Sequence, residues 1–253
     1  MSMESAVYRV LRIDEQLYGC EELPEGQPVL CDVLLEDAEG SRRVLAYPDA
    51  ELTRLNINEG NSVTLTGHTL ARARHRVYFT RHGETVWNVE NKICGMTDSP
   101  LTEKGRAQAR ELGEKLRDSG LQIDEILYSP LSRAADTAKA IADATGWPAR
   151  CEPRLREQCF GRYEGTPRDG EEFRISKTHF ADRYTGGESM MQLAQRIYNL
   201  LDELRADRDH TYLLVAHNGI ARVVQSYFRD MTNEEYAAAG IHNCEFVAFD
   251  FDE

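Results

Sequence analysis

"YFTRHGETVWN", residues 78–88, carries a short aromatic and β-branched run straight into Arg81-His82-Gly83. The run has the character of a buried strand. In open α/β sheets the ligand crevice lies beyond the carboxyl ends of the strands, where loops lead into helix N-termini. Two other apolar runs end in similar fashion: "EILYS" meets Pro130-Leu131-Ser132-Arg133, and "TYLLVA" meets His217-Asn218-Gly219. A fourth segment, "LREQCFGRYEG" (155–165), places Glu157 in a loop.

Outward from these strand ends the chain has two textures. From residue 75, apolar strands alternate with 3.6-periodic segments such as "TEKGRAQARELGEKLRDSG" and "SMMQLAQRIYNLLDELRAD". That alternation predicts an α/β domain over 74–253 with a mostly parallel sheet covered by helices. Residues 1–73 instead set closely spaced β-branched runs between turn-rich stretches ("LPEGQP", "DAEGS", "NEGN"). Four or five short strands are expected there, with one short helix over "DAELTRLNI" (49–57), Asp49 serving as its N-cap. Element order suits a small β-rich, barrel-like domain of the OB type. The boundary is expected within "TLARAR", residues 69–74.

The chain has 253 residues, a formal net charge of −13 and a mean hydropathy of −0.54. So acidic a chain repels nucleic acid and anionic lipid, and an anionic substrate must be drawn by a local cluster of cations. The first 73 residues contain no lysine and no basic-aromatic stripe, which argues against an oligonucleotide-binding barrel. Protein contact, self-association into a homo-oligomer, or a lid are the uses left to that region. Six cysteines (Cys20, Cys31, Cys94, Cys151, Cys159, Cys244) form no CxxC pair and no regular spacing, so neither a zinc site nor a disulfide framework is supported. No run reaches the roughly 18 apolar residues of a membrane helix, and the start "MSMESAVYRVLRIDEQ" lacks the pattern of a signal peptide. A cytoplasmic protein, with no nucleic-acid or membrane partner, is expected.

The strand-end groups are two histidines, two arginines, Asn88 and one carboxylate. That inventory suits a phosphate, because arginine presents a planar fork of donors and helix N-termini add backbone N–H groups. The sequence has no P-loop, no HExxH and no carboxylate cluster for Mg²⁺, so chemistry without a metal or other cofactor is expected. A neutral imidazole can attack phosphorus directly, and surrounding cations favour the neutral form. Arg81, Arg133 and a protonated His217 are expected to supply those cations and to balance charge on the transferred group. The leaving alkoxide needs a proton, and Glu157 beside a bound dianion suits general acid, then base.

"TRHGETVWN", "DSPLTEKGRAQARELGEKL", "SPLSRAADTA", "LREQCFGRYEG", "GGES" and "VAHNGI", in this order, closely resemble the histidine phosphatase superfamily, also called the phosphoglycerate mutase-like family. The resemblance covers residues 75 to about 250. It implies a three-layer α/β/α sandwich, His82 as the residue that becomes phosphohistidine, Arg81, Asn88, Arg133 and His217 as the phosphate pocket, and Glu157 as proton donor. Cys94 and Gly95 occupy a loop that in relatives touches substrate. Asn218 follows His217 where many relatives have a small residue, so local phosphate contacts are expected to differ.

Within the family the resemblance leans to the phosphatases acting on small phosphorylated metabolites. Some twenty residues separate Gly165 from "GGES", and they hold no adjacent arginine pair of the kind that grips substrate in the cofactor-dependent mutases. A 2,3-bisphosphoglycerate-dependent phosphoglycerate mutase is the enzymatic alternative, and a binding or scaffold protein with a vestigial catalytic domain the non-enzymatic one. Each residue also has a plainer reading. His217 could be a satisfied core histidine, Arg133 a surface ion-pair partner, Asn88 a cap, and Glu157 could yield its role to Glu152, Glu164 or Glu188. Specificity is expected in loops 91–98 and 166–187.

Overall fold

The computed structural model describes residues 6–16, 28–37, 39–73 and 75–251. Cys20 and the turn-rich residues 17–27 lie outside the described residues. The chain divides into two units, residues 1–74 and 75–253.

In the first unit β1 (Ala6–Glu15), β2 (Leu30–Glu36), β3 (Arg42–Pro48), α1 (Asp49–Arg54), β4 (Ser62–Thr66) and β5 (Thr69–Arg72) follow in order. The five strands form one antiparallel sheet ordered β3-β2-β1-β4-β5. Strict alternation sets its core: Cys31, Val33 and Leu35 of β2 are buried while their neighbours are only partly so. Leu52 of α1 joins that cluster. The Tyr47 hydroxyl accepts the Leu70 N–H at 3.2 Å, linking the outermost strands β3 and β5. Two expectations need correction. Asp49 is the first helical residue and Pro48 takes the N-cap position, because proline's fixed φ sits readily in the extended cap conformation. Thr69–Arg72 pair with β4, so most of "TLARAR" is strand rather than linker.

The second unit runs β6 (Arg76–Arg81), α2 (Val86–Val89), α3 (Glu103–Asp118), β7 (Glu125–Tyr128), α4 (Ser132–Thr145), β8 (Ala149–Cys151), α5 (Glu171–Ser176), α6 (Met190–Ala206), β9 (Tyr212–Ala216), α7 (Asn218–Phe228), α8 (Asn233–Ala238) and β10 (Phe246–Asp250). The sheet order is β10-β6-β9-β7-β8. β6, β9, β7 and β8 are parallel, and β10 closes one edge antiparallel to β6. Buried on both faces, β6 and β9 read as continuous apolar runs. Val77, Phe79, Leu214 and Ala216 pack with α6 and α7, whereas Tyr78, Leu213 and Val215 pack with α3 and α4. Each fully buried leucine, such as Leu201, contributes about 1.5–3 kcal/mol.

Capping fixes where the helices begin. The Thr102 hydroxyl accepts the Gly105 N–H at 3.0 Å to start α3, and Ser189 and Gln192 form a reciprocal capping box that starts α6. The loop after β6 is pressed against the first turn of α3. A Cβ on Gly83 would overlap the Gly105 carbonyl, and one on Gly105 would overlap the Glu84 carbonyl, so both positions require glycine.

Candidate active site

Strand register brings the histidines together. β6 pairs with β9 so that Arg81 lies opposite Ala216, and His82 and His217 each follow one residue later. Their ring centroids are 5.2 Å apart. β7 lies on the other side of β9, with Tyr128 opposite Val215, and this sets Ser129 beside His217. The Ser129 Oγ and His217 Nε2 are 2.6 Å apart. Arg133 enters from the first turn of α4. Main-chain hydrogen bonds hold the frame: His82 N–H donates to the Ala216 carbonyl, and Gly83 N–H to the Thr137 hydroxyl.

The nucleophile candidate is 4% exposed. Its Nδ1 lies 2.7 Å from the Gly83 carbonyl oxygen. A carbonyl can only accept, so Nδ1 carries the proton and the lone pair of the neutral ring is on Nε2. Burial first, then the charges of Arg133 and Arg81, hold His82 well below the ordinary imidazole range. His217 is held down in the same manner by burial, Arg133 and His82. Full burial beside an arginine thus works against the protonated His217 expected from sequence. Burial and neighbouring arginines also lower Arg81 to about 10, still charged at neutral pH.

Arg81, His82, Asn88, Cys94, Glu157 and Asn218 line one pocket. Gly95, Arg133 and His217 do not line it. The Gly95 carbonyl accepts Arg133 Nη2 at 2.7 Å, and the Thr97 carbonyl accepts Nη1 at 3.1 Å. At 1% exposure Arg133 is no surface ion-pair partner, although Asp98 lies 3.4 Å away. Three buried atoms here, Arg81 Nε, Arg133 Nε and His217 Nδ1, have no hydrogen-bond partner among the described residues. An unmet buried polar group costs about 1–3 kcal/mol, so their gathering at one place points to a ligand that supplies the missing partner.

Of the four carboxylates weighed from sequence, Glu157 lines the pocket and the other three are engaged elsewhere. Glu164 accepts the Met96, Thr97 and Phe160 N–H groups and so holds the 94–97 loop. Glu188 pairs with Arg196 at 2.7 Å, and Glu152 with Arg154 at 2.9 Å. Glu157 is 5% exposed, and its two oxygens accept the N–H groups of Gln158 (2.8 Å) and Gly219 (3.0 Å). A Cβ on Gly219 would overlap Glu157 Oε1, so glycine in the first turn of α7 is what lets the carboxyl approach.

Asn88 does what the plainer reading held and also faces the pocket. Its Oδ1 accepts the Thr85 N–H in a capping box that starts α2. Asn218 turns its Oδ1 to the Ile241 N–H at 3.0 Å, which ties down the chain before β10. Cys94 donates to the Thr97 carbonyl, and burial pushes its thiol up, away from the reactive thiolate.

Sequence reasoning missed several groups. Asn243 donates its side-chain N–H to the His82 carbonyl at 2.8 Å and contacts Asn88 Oδ1 at 3.4 Å. Arg168, Lys177 and Arg222 also line the pocket, as do Phe173 and Tyr236. The spacing of Asn218 and Arg222, one helical turn apart on α7, was the signal available for Arg222. Among the described residues no group of three or more His, Cys, Asp or Glu is placed to hold a metal ion, and no helix is long and apolar enough to cross a membrane.

The chain is similar to several known proteins. "Probable phosphoglycerate mutase GpmB" of Yersinia pestis is 35% identical over 186 residues, covering 70% of this chain and 86% of its own. A mycobacterial glucosyl-3-phosphoglycerate phosphatase structure superposes with a TM-score of 0.61 at 29% identity, over 70% of this chain and 90% of that one. The α-ribazole phosphatase of Shigella flexneri gives a TM-score of 0.58 at 26% identity, over 68% and 89%. A sequence profile of the histidine phosphatase superfamily (branch 1) matches residues 77–253, and the chain belongs to that superfamily.

Proposed function

We propose that the chain is a metal-independent phosphomonoesterase acting on a small phosphorylated metabolite through a phosphohistidine on His82. The observation that carries this reading is the hydrogen bond from His82 Nδ1–H to the Gly83 carbonyl, which leaves Nε2 as the nucleophilic nitrogen. In the first half-reaction Nε2 bonds to phosphorus as the ester P–O bond breaks. Glu157, as general acid, gives a proton to the departing alkoxide oxygen. In the second, Glu157 takes a proton from water, the water oxygen bonds to phosphorus and the P–N bond breaks. Arg81 and Asn88 line the pocket that takes the phosphoryl oxygens, and Arg133 and His217 act from directly behind it, where fixed donors and charge carry most of the rate.

Two named phosphatases among the structural neighbours support hydrolysis over transfer to a second substrate oxygen. The relative named as a mutase supports the alternative, a 2,3-bisphosphoglycerate-dependent phosphoglycerate mutase. A scaffold with a vestigial site is disfavoured, since the buried unpartnered atoms at the site would be costly to keep without a ligand. Helices on both faces of the second sheet support the three-layer sandwich for 74–253, and the Tyr47–Leu70 link supports a barrel-like closure for 1–73. The five described cysteines are all free, which fits a reducing, cytoplasmic setting.

The test is phosphate release from p-nitrophenyl phosphate in excess EDTA. Full activity with vanadate inhibition is expected. Loss of activity on chelation would overturn the metal-independent mechanism, and faster interconversion of 2- and 3-phosphoglycerate than phosphate release would favour the mutase.

A further inference from the structure

The "GGES" motif (186–189) takes no part in the chemistry at His82, yet its Glu188 lies against the loop that carries Glu157. That loop is irregular. Glu157 stands between two short 3₁₀ turns, Pro153–Leu155 and Gly161–Tyr163, and belongs to neither a strand nor an α-helix. With no strand ladder to fix it, the loop takes its direction from whatever meets its backbone groups.

Glu188 and Arg196 meet them on both sides of Glu157. The Glu188 N–H donates to the Cys159 carbonyl at 3.0 Å, and Glu188 Oε1 accepts the Cys159 N–H at 3.1 Å. Arg196, in the second turn of α6, donates from Nη1 to the Arg154 carbonyl and from Nη2 to the Glu157 carbonyl at 3.3 Å. The same Nη2 reaches Glu188 Oε1 at 2.7 Å, so one ion pair joins the two sets of contacts. The paired side chains are only 14% and 15% exposed, which leaves water little room to compete for these bonds. Ser189, the next residue, caps α6 and anchors the pair to the start of that helix.

We propose that Glu188 and Arg196 are positioning residues for the general acid: together they clamp the 154–159 backbone so that the Glu157 carboxyl stays beside the leaving-group oxygen. This rests on the phosphatase reading with Glu157 as proton donor. Neither Glu188 nor Arg196 lines the pocket, so they act through Glu157 rather than on substrate.

The experiment compares kcat/KM for phenyl phosphate and p-nitrophenyl phosphate, esters of similar shape whose leaving groups differ in their need for a proton. This constant covers the steps up to departure of the leaving group, where Glu157 is the acid. Arg196→Met should lower it about tenfold or more for phenyl phosphate and about threefold or less for the nitro ester. Arg196→Lys keeps the charge but not the fork that spans two carbonyls, and should widen the ratio in the same direction by less. In a Glu157→Gln background Arg196→Met should leave the ratio as it is, because the proton it helps to deliver is gone. An equal loss on both esters, no loss on either, or a widening that persists without the Glu157 carboxyl overturns the clamp. Should Arg196→Met fail to fold, Arg196→Lys carries the same test. If the unaltered chain releases phosphate from neither ester, the phosphatase reading fails separately. Amide exchange then decides the clamp: the Gly219 N–H, which in the first turn of α7 donates to Glu157 Oε2, should exchange about tenfold faster in the Arg196 variants, and unchanged exchange overturns it.

Discussion

The floor and the rim of the pocket handle charge in different ways. At and directly behind the floor, His82, Arg133 and His217 are at most 4% exposed, and their neighbours fix them through short hydrogen bonds to Gly83, Gly95 and Ser129. At the rim, Lys177 and Arg222 are half-buried and Arg168 is exposed, each steadied by a single carbonyl or ring. The floor sits at the ends of adjacent parallel strands, so its geometry is set by sheet register. The rim is assembled from a loop, the end of a short helix and one face of α7. A rigid floor fits one invariant piece of chemistry, and a looser rim fits discrimination among substrates.

The comparison breaks first at Glu157. Glu157→Gln keeps one acceptor oxygen for a backbone N–H but removes the transferable proton. It should lower kcat by about 10²- to 10⁴-fold with the fold intact by circular dichroism. A change under tenfold would move the general acid to another group. Asn243→Ala tests how much rigidity the floor needs, since Asn243 holds the His82 carbonyl and reaches Asn88. A drop of about tenfold in kcat is expected with KM little changed, and rescue by Asn243→Gln is expected to be poor because the longer arm misplaces the amide.

The smallest effect concerns pH. His82 and His217 have folded-state affinities for protons far below the ordinary value. The unfolded chain binds those protons near pH 6.5 and the folded chain does not, so protonation favours unfolding. Stability from this source is fully present above about pH 6.5 and declines as pH falls below it, by at most about 1.4 kcal/mol per pH unit per histidine. Urea unfolding at pH 7.5 and 5.5 should show the decline, and His217→Gln should flatten it. Rim variants such as Lys177→Met should leave that slope as it is, which sharpens the contrast between the two regions.

Most of the floor was legible because its residues lie next to strand ends in the chain. Arg81, His82, Arg133 and His217 follow apolar runs whose parallel pairing is itself predictable from the alternation of strands and helices. Burial was hidden from the sequence: it shows that His217 is near cations but not that it is fully enclosed, and enclosure lowers its affinity for a proton. Asn218 has a polar side chain in the right place, yet the Ile241 N–H claims its oxygen, a partner 23 residues onward. Asn243 lay beyond reach for the same reason, standing 161 residues from the group it holds. The rim was located as loop 166–187 without its residues being named, because convergence of Arg168, Lys177 and Arg222 depends on how three separate segments pack. The strands of the first unit were visible from their spacing and turns, while their order in the sheet follows from long-range pairing that spacing does not reveal.

The central claim is that His82 Nε2 takes the phosphoryl group. Rapid quenching of the enzyme during turnover of a ³²P-labelled substrate, followed by peptide mapping and phosphorus NMR under alkaline conditions, reads this directly. The account predicts an acid-labile phosphohistidine on His82, joined through Nε2 and absent in His82→Ala. Phosphorus on Nδ1, on His217 or on any other side chain would contradict it.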